Sequence, residues 1–123
     1  MLKGKHEAVL VLRRPQLAAL KRDLDQRFVD RMVHEFSTKP PGREVMPPSQ
    51  LQSVVTDAVE RAKGYGFQRE WDIYRYVRFQ VKRGPSFEER TDMNWAAAIL
   101  ADTQLSSTEK MDKLAYRFAV GAP

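Results

Sequence analysis

No cysteine occurs among the 123 residues of the sequence, and histidine occurs only twice. Without thiols the chain cannot form a disulfide, a thiolate zinc site or a cysteine nucleophile, and this composition is typical of a reducing compartment. His6 lies in a polar N-terminal stretch where we expect little order, and His34 has no second ligand at the spacing that zinc sites use. We therefore expect no metal, no cofactor and no catalytic residue, and we predict that the protein is not an enzyme.

Long apolar runs of the kind that target a chain to a membrane are also missing. The apolar run at residues 8–12 stops at Arg13. A secretory leader needs about 7–15 apolar residues, and a membrane span needs about 20. We therefore predict a cytoplasmic protein with no membrane partner.

Charge of both signs is abundant and mixed. The chain has 21 Lys and Arg against 16 Asp and Glu, which gives a net charge of +5. A basic balance favours nucleic acid, anionic lipid or an acidic protein as partner, but dispersed acidic residues favour a solvated surface of mixed charge. Asp23, Asp25 and Asp30 each lie close to Arg or Lys, so we expect them to form ion pairs on a solvated helix face.

Prolines divide the chain at one place. Four prolines and a glycine fall within residues 38–48, which excludes a helix or a central strand there. We expect this segment to be an exposed loop inside a single helical domain that covers residues 15–120. Residues 1–14 are predicted to form a flexible or extended arm, with residues 8–12 as a short strand or extended segment.

The remaining apolar residues recur at spacings of three and four, which predicts an all-α fold, a compact bundle of about five helices. The first helix is expected to run from Pro15 to about Phe36, and other elements should cover its apolar side chains. Those side chains are Leu17, Leu20, Leu24, Phe28, Met32 and Phe36.

Signals for helix ends place the other elements. Ser49 is the predicted N-cap of the second helix, and Gly64 is the predicted glycine that ends it. The third helix should cover residues 69–82 and the short fourth helix residues 94–100. The last helix starts with a capping box at Ser106 and Glu109, and we expect Phe87 to hold the polar loop before the fourth helix against the core.

The third helix combines aromatic and basic residues, and this pattern has two interpretations. Basic side chains among aromatic ones would contact phosphates and stack on unpaired bases. Alternatively, the aromatic residues belong to the core and the basic residues cover the outer face of the helix. The basic residues concerned are Arg69, Arg75, Arg78, Lys82 and Arg83.

Five short motifs follow one another in a characteristic order: Ala62-Lys63-Gly64-Tyr65-Gly66-Phe67, Glu70-x-Asp72-Ile73-x-x-Tyr76-Val77, Gly84-Pro85-x-Phe87, Trp95-Ala96-x-x-Ile99-Leu100-x-Asp102 and Lys110-Met111-Asp112-Lys113-Leu114. In these motifs, over about residues 10–118, the sequence resembles a family of small bacterial helical proteins of undefined activity, encoded near type VI secretion spike and effector genes. The resemblance implies a protein that binds an effector or a spike component, as an adaptor, chaperone or accessory subunit. It brings no catalytic residues with it.

We therefore predict a non-enzymatic protein-binding module. The alternatives are a basic helical protein that binds nucleic acid and an immunity protein that inhibits a toxin. The turn after the second helix, the loop before the fourth and the region of Trp95 are expected to form one binding surface. Trp71 and Trp95 are both candidates for binding a partner, although each would also suit the core. The candidate partner-binding residues are Tyr65, Phe67, Trp71, Arg75, Arg78, Phe87 and Trp95.

Overall fold

The computed structural model describes residues 14–42 and 46–121, and over these residues the fold is an all-α bundle without a strand. Two short 3-10 turns, Phe87–Glu89 and Thr91–Met93, lie between the third and fourth helices. The predicted arm before residue 14, with its extended segment, lies outside the described residues. The five helices are α1 (Arg14–Thr38), α2 (Pro48–Gly64), α3 (Glu70–Arg83), α4 (Asn94–Ala101) and α5 (Ser107–Ala119).

The core lies where α2 and α3 meet, with α1 packed on α2, and with α4 and α5 completing the bundle beside α3. Tyr76 and Val77 of α3 are fully buried, as the prediction of a central third helix requires. Phe87 is also fully buried, which confirms that it fixes the loop before α4 against the core. Burial of such large apolar side chains is the main favourable contribution to folding.

The start of α2 differs from the prediction, whereas the start of α5 agrees with it. In α2 the helix begins at Pro48, and Ser49 lies inside the first turn without capping it. Proline suits this position because its missing N–H is one that the helix leaves unpaired anyway. In α5 the capping box is confirmed: Glu109 N–H donates to Ser106 Oγ (3.1 Å), and Ser106 N–H donates to Glu109 Oε1 (2.9 Å).

The sequence predicted Gly64 as the glycine that ends α2, but in the structure Gly66, two residues later, has this role. The left-handed residue is Gly66, with φ of +90°, while Gly64 is still helical. The Phe67 N–H donates to the Ala62 carbonyl (3.0 Å), and the Gly66 N–H donates to the Lys63 carbonyl (2.9 Å). This pair of bonds is a Schellman motif, which directs the Phe67 side chain into the core.

A buried carboxylate joins three segments of the chain. Glu88, in the first 3-10 turn, is 2% exposed, and the Tyr76 hydroxyl donates to its Oε2. Gln80 Nε2 donates to Oε1 (2.7 Å), and the Tyr65 hydroxyl donates to Oε2 (3.0 Å). The Arg61 guanidinium lies 3.4 Å from the same oxygen. Glu88 therefore connects α2, the turn that follows it and α3.

These contacts keep Glu88 ionised inside the protein. Burial alone would raise the pKa of Glu88, but hydrogen bonds from Tyr76, Gln80 and Tyr65 outweigh burial and hold the pKa below its usual value of 4.5. Burial and the adjacent carboxylate raise the pKa of Tyr65 to about 12, so the hydroxyl remains a donor. Because the pKa of Glu88 is lower in the folded state, its stabilisation is present above the unfolded pKa and is lost as the pH falls through the folded value.

Replacing the carboxylate should therefore destabilise the fold far more than replacing its neighbour. We expect Glu88→Ala to lower the free energy of unfolding by about 3 kcal/mol, because it leaves buried donors without an acceptor. Glu89→Ala is the control: Glu89 is exposed and also pairs with Arg61 (2.7 Å), and its loss should cost under about 1 kcal/mol. Urea unfolding at neutral pH measures both values, and equal losses would contradict the role of Glu88.

The N-terminal turns of α1 extend beyond the bundle. Every residue from 14 to 24 is exposed, whereas Phe28, Met32 and Phe36 are buried farther along the same helix. With 25 residues α1 is about 38 Å long, but the antiparallel α2, with 17 residues, covers only about 26 Å. Near the end of α2, Asp25 of α1 forms an ion pair with Lys63.

The expectation that other elements cover the whole apolar side of α1 is therefore wrong for its N-terminal half, within the described part of the chain. Leu17, Leu20 and Leu24, which we call the leucine stripe, are 50%, 47% and 52% exposed. Periodicity predicted the face correctly. It did not predict that α2 is too short to reach these leucines.

A three-turn helix without tertiary contacts is only marginally stable in water. Hydrogen exchange should show this difference within α1. The amides of residues 18–24 should exchange close to the rate of an unstructured peptide, and those around Phe28–Phe36 should be protected to nearly the global stability. Uniform protection along α1 in the isolated protein would show that the leucine stripe is already covered.

Candidate protein-binding surface

An exposed tryptophan lies beside the side of α1 that carries the leucine stripe. Trp71, in the first turn of α3, is 59% exposed. Its neighbour Glu70 forms an ion pair with Arg31 of α1 (3.2 Å), which joins the two helices at this point. Leu24, Phe28 and Arg31 follow one another at spacings of four and three, so the stripe leads along α1 toward Trp71.

The indole of Trp71 rests on a stack of aromatic rings. Trp71 and Tyr74 have centroids 5.7 Å apart with an interplanar angle of 16°, and Tyr74 stacks on Phe36 at 5.7 Å. Phe36 belongs to the core, and the Tyr74 hydroxyl donates to Glu35 of α1. Burial raises the pKa of Tyr74, and the hydrogen bond to Glu35 raises it further. The hydroxyl therefore stays protonated. An exposed indole on such a support is a rigid anchor for a partner.

Charged residues border the aromatic group. The Arg75 guanidinium lies 6.0 Å from the centre of the Trp71 ring and forms an ion pair with Asp112 of α5 (2.9 Å). With the pair between Arg31 and Glu70, this places polar groups on two sides of the exposed ring. A central apolar anchor with a polar border is the usual arrangement of a protein–protein interface.

Three of the candidate binding residues lie elsewhere than predicted. Phe67 and Phe87 are 2% and 0% exposed, so their side chains stabilise the core and are not presented to a partner. Tyr65 is half-buried, and its hydroxyl is bound to Glu88. The turn after α2 and the loop before α4 do meet, but they meet inside the protein rather than on a shared surface.

Of the two remaining candidates, Trp95 lies apart from Trp71, and Arg78 lies on the same side of α3 as Trp71. Trp95 is half-buried against α5, with the Arg117 guanidinium 4.5 Å from its ring centre and Phe118 edge-on at 5.1 Å. Arg78 is exposed, seven residues after Trp71, and its charge opposes the rise in the pKa of Tyr74. Of the seven predicted residues, the structure thus places Trp71, Arg75 and Arg78 on one side of α3, with Trp71 and Arg78 exposed and Arg75 half-buried.

Three of the five basic residues in α3 and directly before it contact neighbouring side chains. Arg69 donates to the Thr108 hydroxyl (3.3 Å), Arg75 pairs with Asp112, and the Arg83 guanidinium lies 4.1 Å from the ring centre of Phe118. Arg78 and Lys82 remain exposed. The geometry favours the interpretation in which arginines cover the bundle, because guanidinium groups fixed in this way are not presented to phosphates together.

Acidic residues of α1 form the ion pairs and hydrogen bonds expected of a solvated face. Asp23 pairs with Arg27 (3.1 Å), and Asp30 accepts from Gln26 (2.9 Å). His34 is exposed on the same helix. Within residues 14–42 and 46–121, no group of three or more potential ligands is arranged to hold a metal ion, and no helix is long and apolar enough to span a membrane.

The two tryptophans should respond differently to truncation. Trp71→Ala removes an exposed ring, and we expect the free energy of unfolding to fall by under about 1 kcal/mol. Trp95→Ala opens a space between α4 and α5, and we expect a loss of about 2–3 kcal/mol. Urea denaturation of both variants measures the two losses of unfolding free energy. A larger loss for Trp71 would assign that residue to the core.

Comparison of the chain with protein-family models, with curated proteins and with solved structures finds no match. Its function is therefore argued from the surface that the described residues form.

Proposed function

We propose that the chain is a non-enzymatic protein-binding module that binds through Trp71 and the leucine stripe of α1. The observation that carries this proposal is the exposure of four large apolar side chains on adjoining parts of α1 and α3. Contiguous apolar groups with a polar border mark interaction sites more often than plain surface. Tryptophan, moreover, is among the residues that contribute most to binding energy.

We further propose that the partner is a secreted effector or a secretion-spike component, and that the chain acts on it in the cytoplasm as an adaptor, chaperone or accessory subunit. This part of the proposal is supported by the sequence motifs that resemble those of small type VI secretion-associated proteins. Many motif residues, including Tyr76, Phe87, Leu100 and Leu114, are buried. Trp71 is not itself a motif residue. The motifs would therefore account for a fold in common with those proteins, and the exposed indole would account for the choice of a particular partner.

Photo-crosslinking in the native cells tests the binding surface directly. With p-benzoylphenylalanine in place of Leu20, we expect an adduct with one protein, because the side chain at this position would face the partner. The same substitution at Gln52, an exposed residue of α2, is the matched control and should give no adduct. Trp71→Ala should weaken the adduct from position 20 without lowering the amount of folded protein.

Mass spectrometry of the adduct identifies the partner. A product encoded beside secretion-spike genes would support the adaptor role, and a product encoded elsewhere would contradict that role but not the binding surface. Equal adducts from positions 20 and 52, or none from either position, would contradict the surface itself.

A further inference from the structure

We propose that the exposed leucines in the N-terminal turns of α1 bind an amphipathic helix with acidic flanks, contributed by the partner. This inference rests on the proposed function, because it specifies the segment that covers the leucine stripe. It follows from the width of the stripe, from the exposure of its three leucines and from the charge along its edge.

The stripe has the width of a helix-packing seam. Leu17, Leu20 and Leu24 lie at positions i, i+3 and i+7, so with about 100° per residue they occupy an arc of only about 60°. Such spacing corresponds to the a and d positions of a coiled coil, where one partner helix covers the apolar residues. A helix that lies in a lipid surface needs a broader apolar face.

The surroundings of the stripe leave room for a second helix. All residues from 14 to 24 are exposed, and Leu17, Leu20 and Leu24 each keep about half of their surface open to solvent. The turns extend about 16 Å along the helix axis. A partner helix of about three turns would therefore match them, and its far end would approach Trp71.

The charged residues without an ion-pair partner beside the stripe are positive. Arg14 and Lys21 form no ion pair with any described residue, whereas Asp23 is already paired with Arg27. Arg14 and Lys21 are seven residues apart and border the stripe on one side. Around Trp71 the cations Arg31 and Arg75 are paired with Glu70 and Asp112. One edge of the stripe therefore carries two uncompensated positive charges.

Charge complementarity therefore favours acidic residues on the flanks of the partner helix. A second copy of this chain fits less well, because an antiparallel pair of α1 helices would place Arg14 and Lys21 of one copy beside the same residues of the other. Like charges at such positions oppose pairing.

A displayed peptide library provides the test. The peptides span about three turns with leucine fixed at a and d, and their flanking e and g positions are drawn from Glu, Lys and Gln. Selection on the full chain should enrich Glu at the flanking positions. The selected peptides should bind Leu20→Ser at least about tenfold more weakly than the unchanged chain. Val120→Ser, which alters an exposed apolar residue of the α5 end, is the matched control and should bind normally.

Charge reversal tests the acidic preference separately. Arg14→Glu with Lys21→Glu should weaken the binding of the Glu-rich peptides at least about tenfold, whereas Lys82→Glu with Lys113→Glu, two exposed cations away from the stripe, should not. Binding of the Glu-rich peptides should also protect the amides of residues 18–24 from hydrogen exchange. Equal effects of the two charge reversals would overturn the acidic preference.

Other occupants would give different results. Enrichment of Lys or Gln, no loss of binding with Leu20→Ser, concentration-dependent dimers that Leu20→Ser abolishes, or binding to phosphatidylglycerol vesicles through Leu20 would each overturn the inference. These results differ from failure of the proposed function. If an adduct forms from position 20 in cells while the selected peptides show no preference for Glu, the surface stands and only the chemistry of its partner is wrong.

Discussion

The ionised carboxylate of Glu88 is the interaction on which the arrangement of the bundle depends. It accepts hydrogen bonds from Tyr76 and Gln80 of α3 and from Tyr65 in the turn after α2, and Arg61 of α2 lies near it. These bonds fix the 3-10 turn that carries Phe87, which packs in the core where α4 begins. A buried charge is tolerated only when enough donors surround it, so these segments have to be correctly placed together.

Local signals in the sequence predicted much of this fold. Spacings of three and four gave the five helices, and Ser106 with Glu109 gave the start of α5, because a capping box involves only neighbouring residues. Glu88 was missed because its partners lie 8 to 27 residues away, and a carboxylate in a polar stretch has no local feature that marks it as buried. For the same reason Gly64 was preferred over Gly66 as the glycine that ends α2: both glycines come after the last apolar residue of the helix pattern, and tertiary packing of Phe67 selects between them.

The binding surface was predicted less well than the fold. The local sequence does not indicate whether an aromatic residue fills the core, as Phe67 and Phe87 do, or remains exposed, as Trp71 does. The leucine stripe was recognised as a face of α1, but periodicity does not indicate what covers a face. The one available signal was length, because a helix of 25 residues followed by one of 17 leaves about eight residues without a partner.

The continuity of α1 has a mechanical consequence. One unbroken helix carries both the projecting leucines and the buried Phe28, Met32 and Phe36, with no proline or glycine between them. A partner that covers the leucine stripe would stabilise these turns as helix, and a load applied at the tip would then be transmitted along the axis to the bundle, since kinks arise mainly where such residues or inserted side chains interrupt a helix. In that bound state the tip would keep a fixed orientation and a fixed distance from α2 and α3, so the chain would set geometry as a rigid spacer rather than as a flexible tether.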